Sequence, residues 1–155
     1  FAAILADGSI VTWGNPHCGG DSAGVRDQLR NVEQIHATQH AFAAILADGS
    51  VVTWGDRRNG GDSTRVRDQI KNVRQIHATH YAFAAIVADG RVVTWGNPYN
   101  GGDSTRVMKQ LKDVQQIHST KSAFAAILAD GSVVTWGYPT LGGDSTRVRD
   151  QLRHL

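Results

Sequence analysis

Residues 41–55 have the sequence AFAAILADGSVVTWG, in which an Asp-Gly dipeptide at 48–49 joins two apolar segments. Asp-Gly in this context is typical of a β-hairpin, because a tight primed turn needs positive φ angles that glycine adopts at no steric cost. A two-residue loop would pair Ile45 with Val52 and put them on one face. Both faces of the hairpin are largely apolar, which predicts a sheet packed between two other sheets.

The hairpin occurs four times at a constant spacing of 41 residues. Its tryptophan recurs as Trp13, Trp54, Trp95 and Trp136. A fixed period of this length is typical of solenoids, propellers and other repeat arrays. The period divides the chain into units 1–32, 33–73, 74–114 and 115–155. The first unit lacks the segment that corresponds to 33–41.

Each unit except the first is predicted to have a further strand before its hairpin, for example 73–79 before the third hairpin. The segment around Val66 and Ile70 fits either a helical turn or a short outer strand. A unit is therefore an antiparallel sheet of three or four strands. Such sheets, packed face to face around an axis, form an all-β fold, the β-propeller.

Three segments carry a family resemblance: GSVVTWG, the pattern V..QL..V.QI.AT, and AFAAILADG. Together they resemble the repeat of the regulator of chromosome condensation. They are also similar to the shorter repeats of the propeller-type bacterial β-lactamase inhibitor proteins. The resemblance extends over all four units and implies a propeller, usually of about seven blades, whose members bind proteins. Some members are guanine-nucleotide exchange factors and some are parts of ubiquitin ligases. The turn after Trp-Gly is shorter here than in the eukaryotic repeat, so no catalytic residue is carried over.

Two segments differ most among the four units: the four residues after Trp-Gly and the two residues before Ala-Phe. The strand directions place both segments at one end of the fold and the Asp-Gly turns at the other. Variable loops on a rigid scaffold are typical of a binding surface, although loops also vary when nothing constrains them. Tyrosine and arginine are enriched at protein-binding hot spots. The predicted binding residues are Gln39, His40, Arg57, Arg58, His80, Tyr81, Tyr99, Asn100, Lys121 and Tyr138.

Three histidines, His36, His77 and His118, recur at the 41-residue spacing on the predicted inner strands. In a propeller they would line the axis, where they could bind zinc or repel one another when protonated near pH 6. The alternative is that each ring bonds locally to a neighbouring backbone carbonyl. Without a carboxylate partner at fixed spacing, the metal interpretation has little support.

Composition excludes several classes of protein. Lys and Arg number 16 and Asp and Glu 14, and no dense basic run occurs, so nucleic acid is not a predicted partner. The apolar segments are too short to span a membrane. One cysteine, Cys18, excludes an intrachain disulfide framework and an all-cysteine zinc site.

The sequence also argues against an enzyme. Each Asp after Gly-Gly, such as Asp62, is predicted to stabilise a turn with its neighbouring Ser, because one carboxylate is too few for calcium. The tryptophans are predicted to form core between blades. Cys18 has no matched base, and no Ser-His-Asp or paired-carboxylate set can be assembled. No catalytic residue and no cofactor are therefore predicted.

These observations predict a β-propeller or partial propeller that binds a protein through its variable loops. Three other interpretations stay open: substrate recognition in a larger ubiquitin-ligase-like protein, a structural or designed array without ligand, and a His-lined channel. Four units also fit a fragment of a longer array, half of a ring completed by a second chain, or a closed ring.

Overall fold

The computed structural model describes residues 1–154, which form four small antiparallel sheets, here called blades 1 to 4. Blade 1 consists of β1 (Ala2–Ile4) and β2 (Ile10–Thr12). Blade 2 consists of β3 (Val32–Ala37), β4 (Ala41–Leu46) and β5 (Val51–Gly55). Blade 3 consists of β6 (Val73–Ala78), β7 (Ala82–Val87) and β8 (Val92–Gly96). Blade 4 consists of β9 (Val114–Ser119), β10 (Ala123–Leu128) and β11 (Val133–Gly137). The all-β propeller architecture predicted from the repeat is confirmed.

Short 3-10 helices connect the blades. They span Pro16–Cys18, Ala23–Gln28, Arg57–Asn59, Thr64–Val66, Pro98–Asn100, Met108–Gln110, Pro139–Leu141, Thr146–Val148 and Gln151–His154. The segment around Val66, which fitted either a helical turn or an outer strand, therefore forms a helical turn. Blades 2 to 4 accordingly have three strands each. None of the helices in residues 1–154 is long and apolar enough to cross a membrane.

The predicted register of the hairpin is wrong by one residue. Ile45 pairs with Val51, not with Val52. The loop has three residues, because the Leu46 N–H donates to the Ser50 carbonyl at 2.9 Å and Gly49 alone adopts a positive φ, 82°. This geometry, a turn followed by a left-handed glycine, is the common three-residue hairpin loop.

The carboxylate of Asp48 favours this longer loop. Its Oδ1 accepts hydrogen bonds from the Ser50 N–H at 2.9 Å and from the Ser50 hydroxyl at 2.6 Å. The Asp side chain thus mimics a backbone turn and needs no left-handed conformation of its own. Among the positive-φ residues, Gly49 is the only one in this loop.

Both faces of blade 2 are buried, as the apolar pattern predicted. Ala44, Val52 and Trp54 pack with apolar side chains of blade 1. On the opposite face, Ala43 and Ile45 pack into the core that blade 3 supplies. Each pair of neighbouring blades therefore encloses its own apolar layer, and the propeller core is a series of such layers.

The turn after Gly-Gly is held by its aspartate. Asp62 Oδ1 accepts hydrogen bonds from the Thr64 N–H at 3.0 Å and from the Thr64 hydroxyl at 2.7 Å. Ser63 was predicted to stabilise the same turn, but its hydroxyl instead bonds the Thr53 hydroxyl of β5 at 2.8 Å. Asp62 therefore stabilises the turn itself, while Ser63 connects the turn to β5 of blade 2.

A hydrogen bond from tryptophan to glycine, the Trp–Gly contact, joins each pair of adjacent blades. Trp54 Nε1 donates to the Gly19 carbonyl, Trp95 Nε1 to Gly60 and Trp136 Nε1 to Gly101, each at 3.1 Å. These three tryptophans are buried. Their predicted place in the core between blades is confirmed, whereas the same prediction is wrong for Trp13, which is 51% exposed because no blade packs on that face within residues 1–154.

Candidate functional site

The variable segments lie together at one end of the fold, a surface here called the loop face. Its pair turns are residues 39–40, 80–81 and 121–122, and its tetrads are residues 15–18, 56–59, 97–100 and 138–141. Within blade 2, the Asp56 N–H donates to the His40 carbonyl at 2.8 Å. Blade 3 repeats this bond from Asn97 to Tyr81 at 2.9 Å. Pair turn and tetrad are thus adjacent, at the end opposite the Asp-Gly turns.

Neighbouring pair turns are also joined to one another. The Gln39 N–H donates to the His80 carbonyl at 2.9 Å, and the His80 N–H donates to the Lys121 carbonyl at 2.9 Å. Backbone bonds therefore run across blades 2, 3 and 4 without interruption. The loop face is a single connected surface, in contrast to a set of independent loops.

In the first three tetrads the side chain of the first residue, Asn15, Asp56 or Asn97, caps a short helix, whereas Tyr138 in the fourth makes no such bond. The Asp56 carboxylate accepts hydrogen bonds from the Arg58 N–H at 2.9 Å and from the Asn59 N–H at 3.2 Å. Gly60 then ends the helix in a left-handed conformation, with φ of 108°. This capping consumes the Asp56 side chain and leaves the Arg57 and Arg58 side chains directed outward and exposed.

An aromatic cluster crosses the boundary between blades 2 and 3. The Tyr81 ring stacks on the His40 imidazole with centroids 6.1 Å apart and meets the His80 imidazole edge-on at the same separation. His40 Nδ1 in turn lies 3.4 Å from the Cys18 thiol, which belongs to the first tetrad. The cluster therefore links side chains from three repeats.

Sequence reasoning missed the contact between Cys18 and His40, which lie 22 residues apart. The adjacent His17 is exposed and is not the partner. The 41-residue period could have suggested this contact, because every tetrad precedes the pair turn of the next unit. The pairing needs blade packing as well, so no local motif marks it.

Among the grooves beside the tetrads, two are lined by tyrosine. The larger has a volume of about 880 Å³ and lies between blades 2 and 3, with Arg57, Arg58 and Tyr99 among its lining residues. The smaller has a volume of about 710 Å³ and lies between blades 3 and 4, lined in part by Tyr99 and Tyr138. Tyr99 thus stands between the two grooves with its side chain exposed.

The charge of the loop face is modulated by one ion pair. Arg57 Nη2 lies 3.0 Å from Asp62 Oδ2. Hydrogen bonds from the side chain and backbone of Thr64, together with Arg57, lower the pKa of Asp62 to about 2. Asp62 therefore stays ionised and pairs with Arg57 beside the turn, while the neighbouring Arg58 is exposed and forms no ion pair within residues 1–154.

All ten residues predicted to bind lie on the loop face. The exposed ones are Gln39, Arg57, Arg58, Tyr99, Lys121 and Tyr138, and the half-buried ones are His40, His80, Tyr81 and Asn100. His80 Nδ1 is buried and has no hydrogen-bond partner within residues 1–154. Their role in binding stays a prediction.

The three inner-strand histidines bond locally, but to side chains. Nε2 of His36, His77 and His118 lies 3.0, 3.1 and 3.3 Å from the Oε1 of Gln34, Gln75 and Gln116, respectively. The expectation of bonds to backbone carbonyls is therefore wrong, because a glutamine two residues earlier points to the same side of the strand. In the described part of the chain, no three His, Cys, Asp or Glu side chains converge to hold a metal ion.

Burial lowers the pKa of His36. The pKa of His77 is lowered mainly by burial and further by the positive charge that His36 and His118 carry when protonated. The neutral forms of His36 and His77 are thus favoured in the folded chain.

Comparison with protein-family models and with curated proteins found no match. Solved structures with the same fold were found. Prp20p from Saccharomyces cerevisiae, described with its binding to Gsp1p and histones, aligns with a TM-score of 0.60 at 20% identity over 88% of this chain and 42% of Prp20p. Human WBSCR16 aligns with a TM-score of 0.54 at 22% identity, over 88% of this chain and 44% of WBSCR16.

The ectodomain of the receptor kinase CR4 from Physcomitrella patens is also similar, with a TM-score of 0.55 at 18% identity over 90% of this chain and 37% of CR4. This chain thus spans about two fifths of the length of the proteins it resembles. A further structure of Prp20p, the yeast RCC1, was determined with Kap60 bound. Blade topology and these likenesses together show that the chain has the fold of four consecutive blades of an RCC1-type β-propeller.

Proposed function

We propose that the chain is a non-catalytic scaffold that binds a protein through the loop face. One observation carries this proposal: the variable residues occupy one connected, hydrogen-bonded surface, while the opposite end repeats the same Asp-Gly turn in every blade. A rigid scaffold that presents varied side chains at one end is how propellers and other loop-bearing folds bind partners.

The side chains of the loop face favour an acidic partner with an aromatic or aliphatic anchor. Arg58 and Lys121 contribute exposed positive charge, and the one acidic tetrad residue, Asp56, is engaged in capping. Tyr99 and Tyr138 offer exposed rings beside grooves that are wide enough for a side chain. Arginine and tyrosine bury large, rigid contact areas, which is why they dominate hot spots.

The structural neighbours support the general part of the proposal. Prp20p is described with protein partners, and its blades have the same fold as these. Because identity is only 20% and this chain covers 42% of Prp20p, the neighbour supports protein binding as a class. The preference for an acidic partner rests on this chain's own residues.

A selection experiment tests the proposal. The purified chain is used to select binders from a random peptide library, and the selected peptides are then measured against variants by titration. The loop-face variants are Arg58→Ala and Tyr99→Ala, and the control is Arg30→Ala, because Arg30 is an exposed arginine two residues before Val32, whose N–H donates to the Gly8 carbonyl of an Asp-Gly turn. We expect acidic peptides with an apolar anchor, whose affinity falls about tenfold in each loop-face variant and is unchanged in the control.

Two outcomes would contradict the proposal. Peptides that lose affinity through Arg30→Ala, but not through Arg58→Ala, would place the binding surface at the opposite end. A library that yields no peptide above the background of an unrelated propeller would argue that the loops vary without constraint.

A further inference from the structure

The same junction joins every pair of adjacent blades, and it has two complementary halves. One half is a buried Phe–Trp pair, such as Phe83 and Trp95, whose ring centroids lie 5.3 Å apart. The other half is the first glycine after the tetrad of the preceding blade, here Gly60, whose carbonyl accepts the Trp95 N–H. Three junctions in residues 1–154 repeat this arrangement.

An aromatic ring packs directly against the glycine of this half, which leaves no space for a side chain there. A Cβ placed on Gly60 would lie 2.5 Å from Cδ2 of Phe83, and Gly101 meets Phe124 at the same distance. The glycine must also adopt a left-handed φ, 108° at Gly60, which favours the absence of a side chain. Ring and glycine therefore fit each other sterically as well as through the hydrogen bond.

One ring half is left open on blade 1. Phe1 and Trp13 stack as in the other blades, with centroids 5.4 Å apart. Yet Phe1 is 79% exposed and Trp13 51%, whereas Phe83 and Trp95 are 0% and 4% exposed. Within the described residues, no acceptor lies in hydrogen-bond reach of Trp13 Nε1.

One glycine half is left open on blade 4. Gly142 has a left-handed φ of 111°, like the glycines of the occupied junctions. The atoms nearest to a Cβ placed on it are Ala123 Cβ at 3.6 Å and Thr120 Cγ2 at 3.9 Å, and no aromatic ring covers it among residues 1–154. The face of blade 4 that would meet a ring half includes Ile127 and Val133, which are only partly buried.

We propose that two copies of the 155-residue chain join head to tail through these two halves, which have no partner within residues 1–154. Blade 1 of one copy would pack on blade 4 of the other, with Phe1 covering Gly142 and Trp13 Nε1 donating to the Gly142 carbonyl. The occupant is a second copy because this chain itself carries the matching half, in the conformation that three occupied junctions already show. This contact uses the side faces of the end blades and is independent of the loop face.

The new junction is smaller than the internal ones. Blade 1 has no inner strand, so the contact lacks the counterparts of Val73 and Ile76, which are buried in the internal junction. Less apolar area is removed from water, and the association is expected to be reversible and concentration-dependent. If both ends of two copies engaged, the ring would contain eight blades, which is within the range of known propellers.

Sedimentation velocity on the purified 155-residue chain tests the proposal, at two concentrations about tenfold apart. We expect the average mass to rise above the monomer mass of 16.7 kDa as concentration increases. A constant monomer mass at both concentrations would overturn the proposal.

Variants then distinguish this junction from unspecific association. Val11→Arg places a charge on the exposed ring half of blade 1, and Trp13→Phe removes the N–H donor and shortens the ring but keeps an aromatic side chain. Both should weaken association, about tenfold or more for Val11→Arg. The control is Glu33→Arg on the internal blade 2, because the equivalent position of blade 3 already carries an exposed arginine, Arg74.

Trp13→Phe introduces no charge, so it still tests the junction if the arginine at position 11 disturbs folding. Association that survives both Val11→Arg and Trp13→Phe, or that Glu33→Arg weakens equally, would overturn the proposed junction. Higher oligomers that both variants dissolve would support it, since a head-to-tail contact can repeat without closing.

Discussion

The indole N–H of Trp95 donates a hydrogen bond to the carbonyl oxygen of Gly60, 35 residues earlier in the chain, at 3.1 Å. Both residues are buried, so neither group can exchange this bond for one with water. The contact joins two blades that share no strand, and its equivalents do the same at the other junctions. We therefore expect this hydrogen bond to contribute measurably to the free energy of unfolding of the chain.

Trp95→Phe should lower the free energy of unfolding by about 1–3 kcal/mol, because it leaves the Gly60 carbonyl buried without a donor. Urea denaturation measures the change. Trp13→Phe is the matched control, since Trp13 is half-exposed and donates no such bond within residues 1–154. Equal destabilisation by both substitutions, measured on dilute protein, would show that the hydrogen bond contributes nothing beyond ring size.

Gly60→Ala should destabilise the chain by about 2–4 kcal/mol, through steric overlap with Phe83 and through the cost of a left-handed alanine. Its control is Gly24→Ala, because a Cβ at Gly24 meets no atom within 4 Å and its φ is not positive. Gly24→Ala should be neutral or slightly stabilising, since it restricts the unfolded chain. Thermal denaturation compares the melting temperatures of the two variants. Similar melting temperatures would contradict the close contact described between Gly60 and Phe83.

Stability should fall as the pH is lowered through the range in which the inner-strand histidines titrate. The pKa of His36 and of His77 is below the ordinary value of 6.5 in the folded chain, mainly through burial. Below pH 6.5 the unfolded chain binds protons that the folded chain does not, so unfolding is favoured until the pH passes the lowered values. His77→Gln should flatten the dependence of melting temperature on pH between about 7.5 and 5.

Mutating an exposed histidine provides the control for this pH dependence. His17 lies on the surface of the first tetrad, and His17→Gln should leave the slope unchanged. A slope that His17→Gln reduces as much as His77→Gln would assign the effect to general surface charge.

Asp62→Asn should lower the melting temperature at neutral pH and remove part of the acid transition. Hydrogen bonds from Thr64 and the Arg57 charge lower the pKa of Asp62 to about 2, from 3.8. Its contribution is therefore complete above pH 3.8 and is lost as the pH falls through about 2. Asp21→Asn is the control, because alanine follows in that turn and Asp21 accepts only the Ala23 N–H. The expected order is a larger loss for Asp62→Asn, and the reverse order would contradict the role given to the Thr64 hydroxyl.

The blade fold could be predicted from the sequence because one pattern recurs at a fixed period. Repetition averages out the ambiguity of any single short strand, and burial of both faces followed from apolar residues at consecutive positions of strands such as β7 (Ala82–Val87). The prediction of the hairpin register was wrong because Asp48-Gly49 fits both a two-residue and a three-residue loop. The side-chain bond from Ser50 to Asp48 decides between them.

The location of the loop face followed from strand direction alone, which depends only on the number of reversals in each unit. The contacts within it could not be predicted. The thiol of Cys18 meets His40 only because blade 2 packs against the first tetrad, and the Tyr81 ring lies between two histidines for the same reason. Such contacts depend on the angle between blades, which no local sequence pattern specifies.

The repeated Trp–Gly contact also has an evolutionary consequence. Every blade presents the same glycine to its successor and the same tryptophan to its predecessor, so any two blades of this sequence can be neighbours. Duplication or deletion of one 41-residue repeat by unequal recombination would therefore join ends that already fit, and no interface would have to evolve anew. The number of blades and the sequences of the loops can therefore evolve separately, because the Trp–Gly contact does not involve the variable residues of the loop face.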